Sequence, residues 1–286
     1  MKKRFFVFIS LIFIIGCIAN FSYAATVGGQ IDMSTPESSF FSRDAAIDYA
    51  MDSYESDVKM KASFDVEIIS KKELEAAPAD DTSIEIEGHN ANLKFSMNYS
   101  NVLEPYVKIG TSNLRVKWKQ HGQNIQVDAE PGFVLGGGLK AKLWEFESTG
   151  IKLTMDGQYK DTQLDFDTAK IGGSTSTASA ISETFNIKEW QISLLASKKF
   201  IFPLGMQDCY TVPYMGITYS DSEVNVEFTQ GGTGALYSTY AASNKNPIGI
   251  VLGCDIIPSL TSWYLLSFEL RLINEMAFSL SGTMKF

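Results

Sequence analysis

The last eleven residues alternate without a break. Met276, Phe278, Leu280, Gly282, Met284 and Phe286 take the even positions, and Ala277, Ser279, Ser281, Thr283 and Lys285 the odd ones. Successive side chains of a strand point to opposite faces, so a period of two predicts a strand with one apolar and one polar side. The stretch before it repeats the pattern. Tyr264, Leu266, Phe268, Leu270 and Leu272 share one face, Ser267, Glu269 and Arg271 the other, and Ile273-Asn274 supplies a tight reversal.

The dyad recurs upstream. Met60, Phe64, Val66 and Ile68 alternate with Lys61, Ser63, Asp65 and Glu67; Phe133, Leu135 and Leu139 alternate with a face carrying Lys140, Lys142 and Trp144; Leu153, Met155 and Tyr159 alternate with Lys152, Thr154 and Asp156. Ten strands follow: 60–69, 84–99, 103–118, 131–146, 150–166, 185–199, 209–228, 247–257, 262–272 and 275–286. They hold roughly half of the chain, twice the usual share, which points to a closed antiparallel all-β barrel of ten strands, within a range of eight to twelve. Between the fourth and fifth, a pairing that sets Lys142 opposite Asp156 and Leu143 opposite Met155 keeps both apolar faces together. Three strands show an apparent phase slip: near Gly88, across Gly110, and between Tyr214 and Met215. A β-bulge or a misplaced strand accounts for such a slip. Connections alternate between short or moderate ones (Ser100–Val102, Glu147–Thr149, Phe200–Asp208, Pro258–Thr261) and longer ones (Ser70–Ser83, Lys119–Glu130, Asp167–Thr184, Thr229–Asn246), with Ile273-Asn274 the exception.

The N-terminus indicates export. Lys2-Lys3-Arg4 precedes the apolar run Phe5–Ile15, and Ser22-Tyr23-Ala24 offers small residues for cleavage after Ala24. Residues 1–24 therefore read as a signal peptide. Ile14-Ile15-Gly16-Cys17 resembles a lipobox, which would make Cys17 a lipidation site, but Ile18-Ala19-Asn20-Phe21 lacks a lipoprotein's polar tether. Cleavage takes the net charge from −9 to −12, which argues against a nucleic-acid partner. No later apolar run reaches the roughly 20 residues of a spanning helix. Cys209 and Cys254 remain, too few for a disulfide framework; they are either bridged or two buried small hydrophobes.

The terminal Phe286 closing an alternating strand, with Phe268-Glu269-Leu270-Arg271 and Ser281-Gly282-Thr283-Met284-Lys285-Phe286 as its hairpin, resembles the bacterial outer-membrane β-barrel family. The resemblance implies a Gram-negative-type outer membrane, lipids as partners, insertion by the barrel-assembly machinery, short turns in the periplasm and long loops outside. It implies no catalytic residue. The outer face would be apolar against lipid, and the lumen would carry Lys140, Lys142, Lys152, Asp156, Glu269, Arg271 and Lys285. Tyr99, Tyr106, Phe200, Phe202, Tyr210, Trp263, Tyr264 and Phe286 would form a girdle at the short-turn end. Residues 25–59 precede the barrel as a periplasmic segment, with a short helix starting at Ser42-Arg43-Asp44.

Chemistry is sparse. His89 and His121 have no partner at metal-ligand spacing. Asp165-Phe166-Asp167 and Asp221-Ser222-Glu223 approach the long-loop rim, where paired carboxylates could activate water, as in omptin-type proteases, or hold calcium, but the Asp-x-His element of the omptins is absent and the acids read first as a solvated rim. Gly136-Gly137-Gly138 is no phosphate loop and predicts a bend or a close side-chain approach. No catalytic, cofactor-binding or metal-ligating residue is assigned, and no cofactor is expected. The sequence thus points to a non-enzymatic small outer-membrane barrel with a structural or surface-interaction role and little or no general pore. The alternatives are a narrow channel for small solutes, an outer-membrane enzyme using rim carboxylates, and a soluble secreted barrel binding an apolar ligand.

Overall fold

A computed structural model describes residues 58–76, 83–120, 123–171, 174–177, 181–204, 207–230, 236–258 and 262–286. The signal peptide, Cys17, the helix expected from Ser42 and His121 lie outside these residues. The described strands are β1 (Val58–Ala76), β2 (Ser83–Tyr99), β3 (Leu103–Gln120), β4 (Gln123–Ala129), β5 (Gly132–Phe146), β6 (Ile151–Leu164), β7 (Phe166–Ile171), β8 (Ser174–Thr177), β9 (Ile181–Lys198), β10 (Phe200–Leu204), β11 (Gln207–Gln230), β12 (Leu236–Asn244), β13 (Ile248–Ile257), β14 (Tyr264–Leu272) and β15 (Glu275–Lys285).

Ten of them, all antiparallel, form a ring: β1, β2, β3, β5, β6, β9, β11, β13, β14 and β15. The ring closes where β15 pairs with β1, from Lys61↔Lys285 to Lys72↔Glu275. This is the expected closed ten-stranded barrel. Closure satisfies backbone donors and acceptors within the sheet and leaves no edge. At one end the turns are tight. Ser100 and Asn101 both adopt left-handed φ (49° and 53°), which Asn tolerates well, and the Val102 N–H donates to the Tyr99 carbonyl at 2.9 Å.

The expected faces hold. Met60, Phe64, Leu266, Leu280 and Met284 are exposed on the outside, while Ser63, Asp65, Ser267, Glu269, Arg271, Ser279 and Ser281 are buried inside. On the outer face of β9 and β10 the apolar belt runs from Trp190 to Phe200. Ten residue steps of roughly 3.3 Å on a strand tilted about 40° give a belt about 25 Å tall, the height of a bilayer-spanning barrel wall.

Four expectations are corrected. First, the three phase slips are neither bulges nor misplaced strands. β2 and β3 keep one register from Glu85↔Lys117 through Ser96↔Tyr106, and β9 and β11 keep one from Tyr214↔Ser197 to Gln230↔Ile181. The inward parity is constant; on β2 and β3 the chemistry of each face inverts, and on β11 the inward Tyr210, Val212 and Tyr214 are simply aromatic or apolar. On β3, Tyr106, Lys108 and Ser112 point inward below, and Leu114, Val116 and Trp118 point inward above. Outward residues change from Val107 and Ile109 to Arg115 and Lys117. The wall thus exchanges which face is apolar with no change of backbone.

Second, the long connections are largely strand. β1 runs on to Ala76, β4 pairs with β3 and β7, β7 with β8, and β12 with β11. The β14–β15 hairpin stops at Ile273–Asn274, and above its tip β1 pairs directly with β12, from Leu74↔Asn244 to Ala76↔Ala242. Two strands drop out there, and among the described residues eight lines of strand continue: β1, β2, β3, β4, β7, β8 with β9, β11 and β12.

Third, β5 and β6 pair Lys140 with Asp156 and Lys142 with Thr154, two residues away from the expected register. A bulge between Lys142 and Trp144 and a four-residue turn at 147–150, with Gly150 at φ +68°, absorb the difference. The same bulge turns Trp144 outward, not inward. Fourth, the girdle contains Tyr99, Phe200, Trp263, Tyr264 and Phe286, joined by Trp144 and Phe146, but Tyr106 and Tyr210 point into the lumen and are buried. The side chain of Phe202 lies outside the described set.

Candidate functional site

Among the described residues, this barrel gathers its chemistry in the lumen. Among the described residues, seven basic and eight acidic side chains are buried in it. They arrive there by alternation alone: each strand that presents an apolar residue to the outside presents its neighbour to the interior. A buried charge is costly unless paired; most of these are paired across the barrel, while both Asp65 carboxylate oxygens lack a hydrogen-bond partner.

The lower lumen is built around Tyr106. Its hydroxyl donates to Asp156 at 2.9 Å, and its ring lies where a Cβ on Gly138 would be, 2.5 Å from the ring's hydroxyl end. The Gly136–Gly138 run is therefore a close-approach site inside β5, and Gly138 sits directly opposite Tyr106. The ammonium groups of Lys94 and Lys108 lie 5.3 and 5.5 Å from the same ring, and Lys108 donates to Gln158 at 3.1 Å. Lys61 donates to Glu104 at 2.6 Å. On the opposite wall Tyr214 repeats the arrangement, with its ring against Gly253 and its hydroxyl on Glu269 at 2.9 Å.

The middle layer centres on Arg271. Its Nη2 lies 2.8 Å from Glu269, its Nη1 3.2 Å from Glu275, and its Nη2 3.8 Å from Glu67. Glu67 also accepts from Asn90 at 2.9 Å. Beside this hub, Lys72 donates to Glu189 at 2.9 Å and to Ser222 at 2.7 Å, and Lys160 reaches the second Glu189 oxygen at 3.3 Å. These links tie β1, β6, β9, β11, β14 and β15 together through the interior.

Above the ions the lumen turns apolar. Leu74, Ile86, Val116, Trp118, Val127, Leu164, Phe185, Ile187, Val224 and Ala242 belong to one buried cluster that fills the upper barrel. A cavity of about 20 Å³ lies at the junction, between Lys72, Lys160 and Glu189 below and Ile69, Ile86 and Leu114 above. It has room for about one water. Outside the cap, the wall carries ion pairs. Lys71 bridges Glu73 and Glu85 at 2.7 and 3.1 Å, Lys245 reaches Glu73 at 3.3 Å across the β1–β12 seam, and Arg115 pairs with Asp128. The Lys71 and Lys245 ammonium groups hold the Glu73 carboxyl below its ordinary range.

The residues weighed for catalysis do not converge. His89 is exposed on the outer wall above the belt, opposite Asn113. Asp165 and Asp167 are exposed at the β6–β7 junction; Asp221 and Glu223 face outward on β11, opposite Trp190 and Lys188 of the intervening β9. Cys209 and Cys254 are free thiols. No group of three His, Cys, Asp or Glu is placed to hold a metal among the described residues. Lys72, Glu189 and Glu275 carry the middle layer and were not singled out from sequence. The signal for Glu189 was its alternation with Trp190 and Ile192; for Lys72 it was hidden by the bulge between Ile69 and Lys71, which switches the inward parity of β1.

No family model matches the chain, and no curated protein matches it. Among solved structures, the translocator domain of autotransporter NalP from Neisseria meningitidis is similar over 84% of this chain and 92% of its own, at 9% identity and a TM-score of 0.42. The outer membrane protein OprG from Pseudomonas aeruginosa matches over 80% and 95%, at 10% identity and a TM-score of 0.36. The outer membrane protein AlkL matches over 94% and 97%, at 12% and 0.32.

Proposed function

We propose that this chain is an outer-membrane β-barrel whose lumen is sealed, and that it acts as a rigid structural or surface-interaction protein, not as a pore or an enzyme. The observation that carries this reading is the apolar cap stacked on an interlocked ionic lumen. A barrel of about eight strands is filled by its own side chains, whereas aqueous porins use 16–18. Here charges of both signs cross-link the membrane part, and a dry cluster fills the extension above it. A solute would have to break both layers in series.

The extension gives the surface role its form. Eleven residues of β11, from Ser220 to Gln230, continue above the belt in regular pairing with β9. At roughly 3.3 Å per residue on a tilted strand, that wall stands about 25 Å clear of the bilayer. It has its own core and an outer surface of ion pairs, a stiff platform in place of mobile loops. Lipids are its solvent partner, and the terminal strand ending in Phe286, whose N–H donates to the Met60 carbonyl at 2.9 Å, is the segment offered to the assembly machinery.

Planar-bilayer recording tests this. Purified, heat-modifiable protein gives no steady conductance of porin size. A long-lived open state would favour the narrow-channel alternative and overturn the sealed reading.

A further inference from the structure

The buried lumen holds one more acid than base among the described residues, eight against seven. Most of the acids are engaged. Glu67, Glu269 and Glu275 surround Arg271, Glu104 bonds Lys61, Glu189 bonds Lys72 and Lys160, and Asp156 accepts from Tyr106. Asp65 stands apart. It is fully buried, yet neither of its carboxylate oxygens accepts a hydrogen bond. Lys94 and Lys108 feel its charge, but their ammonium groups are set over the Tyr106 ring, at 5.3 and 5.5 Å.

Other bare oxygens gather beside it. The register that pairs Val58 with Tyr99 and Met60 with Met97 runs on to the Glu67–Asn90 hydrogen bond, and so sets Asp65 across from Asn92. Asn92 is buried and its Oδ1 has no partner; the same is true of Asn90 Oδ1, and Glu67 Oε1 accepts no hydrogen bond. Asn90 cannot turn its amide round without losing the bond that its Nδ2 donates to Glu67. Across β3 the partner of Asn92 is Gly110, where a Cβ would collide with the Asn92 oxygen. The missing side chain leaves that oxygen its place on the inner wall. Asn90 also lines the junction cavity of about 20 Å³, so the group borders space for one small occupant.

Buried acceptors ordinarily meet a donor or an ion. Carboxylate and amide oxygens, with no thiolate or imidazole among them, suit a hard cation. Calcium takes about six to eight oxygens, several of them from carboxylates. Here Glu67 is shared with Arg271, and the excess is a single charge. We propose that the oxygens of Asp65, Glu67, Asn90 and Asn92 bind one monovalent metal cation, sodium or potassium, which completes the ionic layer and ties β1 to β2.

Urea unfolding of the purified full chain in zwitterionic detergent tests it, with the chlorides of sodium, potassium and N-methylglucamine compared at equal concentration. A cation that binds only the folded barrel stabilises it by mass action. A site half-filled near about 50 mM should lower the unfolding constant about tenfold in about 500 mM sodium or potassium relative to N-methylglucamine. Asp65→Asn keeps the shape, removes the charge and should abolish that difference. Glu73→Gln, on the outer wall, should leave it intact. Equal stability in the three salts overturns the proposal, and so does a full metal-ion effect in Asp65→Asn. A second measurement needs no variant. Wild-type crystals soaked in thallium(I) acetate should show an anomalous peak against Asp65 and Asn92. An ordered water only, or thallium confined to the outer wall, overturns the site.

Discussion

Replacing Arg271 with Ala is expected to destabilise the barrel by about 3–5 kcal/mol, the cost of breaking a buried ion network by removing one partner. The guanidinium is 1% exposed and faces three carboxylates, on Glu67, Glu269 and Glu275, within 3.8 Å. Its removal leaves those acids to share Lys72, 3.6 Å from Glu275 but already bonded to Glu189. Arg271→Lys should recover part of the loss, since an ammonium restores the charge without the planar fork that reaches Glu269 and Glu275 together. The urea midpoint of the folded band in lipid or detergent checks this. A loss below about 1 kcal/mol, the scale of an exposed pair, would mean the network does not hold the walls together.

The second large effect separates the two solvents on a single strand face. Val107 and Arg115 both point outward on β3, four strand pairs apart along one side. Val107→Arg places a charge against acyl chains and is expected to cost about 2–4 kcal/mol near the midplane. Arg115→Leu removes a surface pair with Asp128, above the belt, and should cost no more than about 1 kcal/mol. If both variants cost the same, the outer surface of β3 does not pass from lipid to water between these residues.

The alternation of Met276–Phe286 and of Tyr264–Leu272 was legible because one solvent acts along the whole length of those two strands. It was misread on β11 because the inward Tyr210, Val212 and Tyr214 are themselves aromatic or apolar, and on β2 and β3 because the face that is apolar changes along the strand. There the period of two survives while the polarity exchanges, and a rule that follows apolar residues alone mistakes that exchange for a slip. The cap was invisible for the same reason. Ile84, Ile86, Leu114 and Val116 looked like outward residues in the wrong phase, yet they are inward residues of the upper barrel. The β5–β6 register was lost at Leu143, where a bulge leaves no mark in composition. Tyr106 and Tyr210 were assigned to the girdle because they lie near turns, although the parity they share with Lys108 and Val212 places them inside. The ion network required coordinates, since strands fixed by alternation still leave open which lysine meets which carboxylate across the barrel.

A barrel in the outer membrane has an outer wall bathed in acyl chains and, here, a capped interior shielded from them, and the four tryptophans report on both. Trp144, Trp190 and Trp263 face outward, whereas Trp118 lies in the cap with 8% of its surface exposed. Single-tryptophan variants reconstituted in lipids with brominated acyl chains should show strong fluorescence quenching at positions 144, 190 and 263 and almost none at 118. Quenching at 118 equal to the others, or none at the three outward positions, would contradict the account.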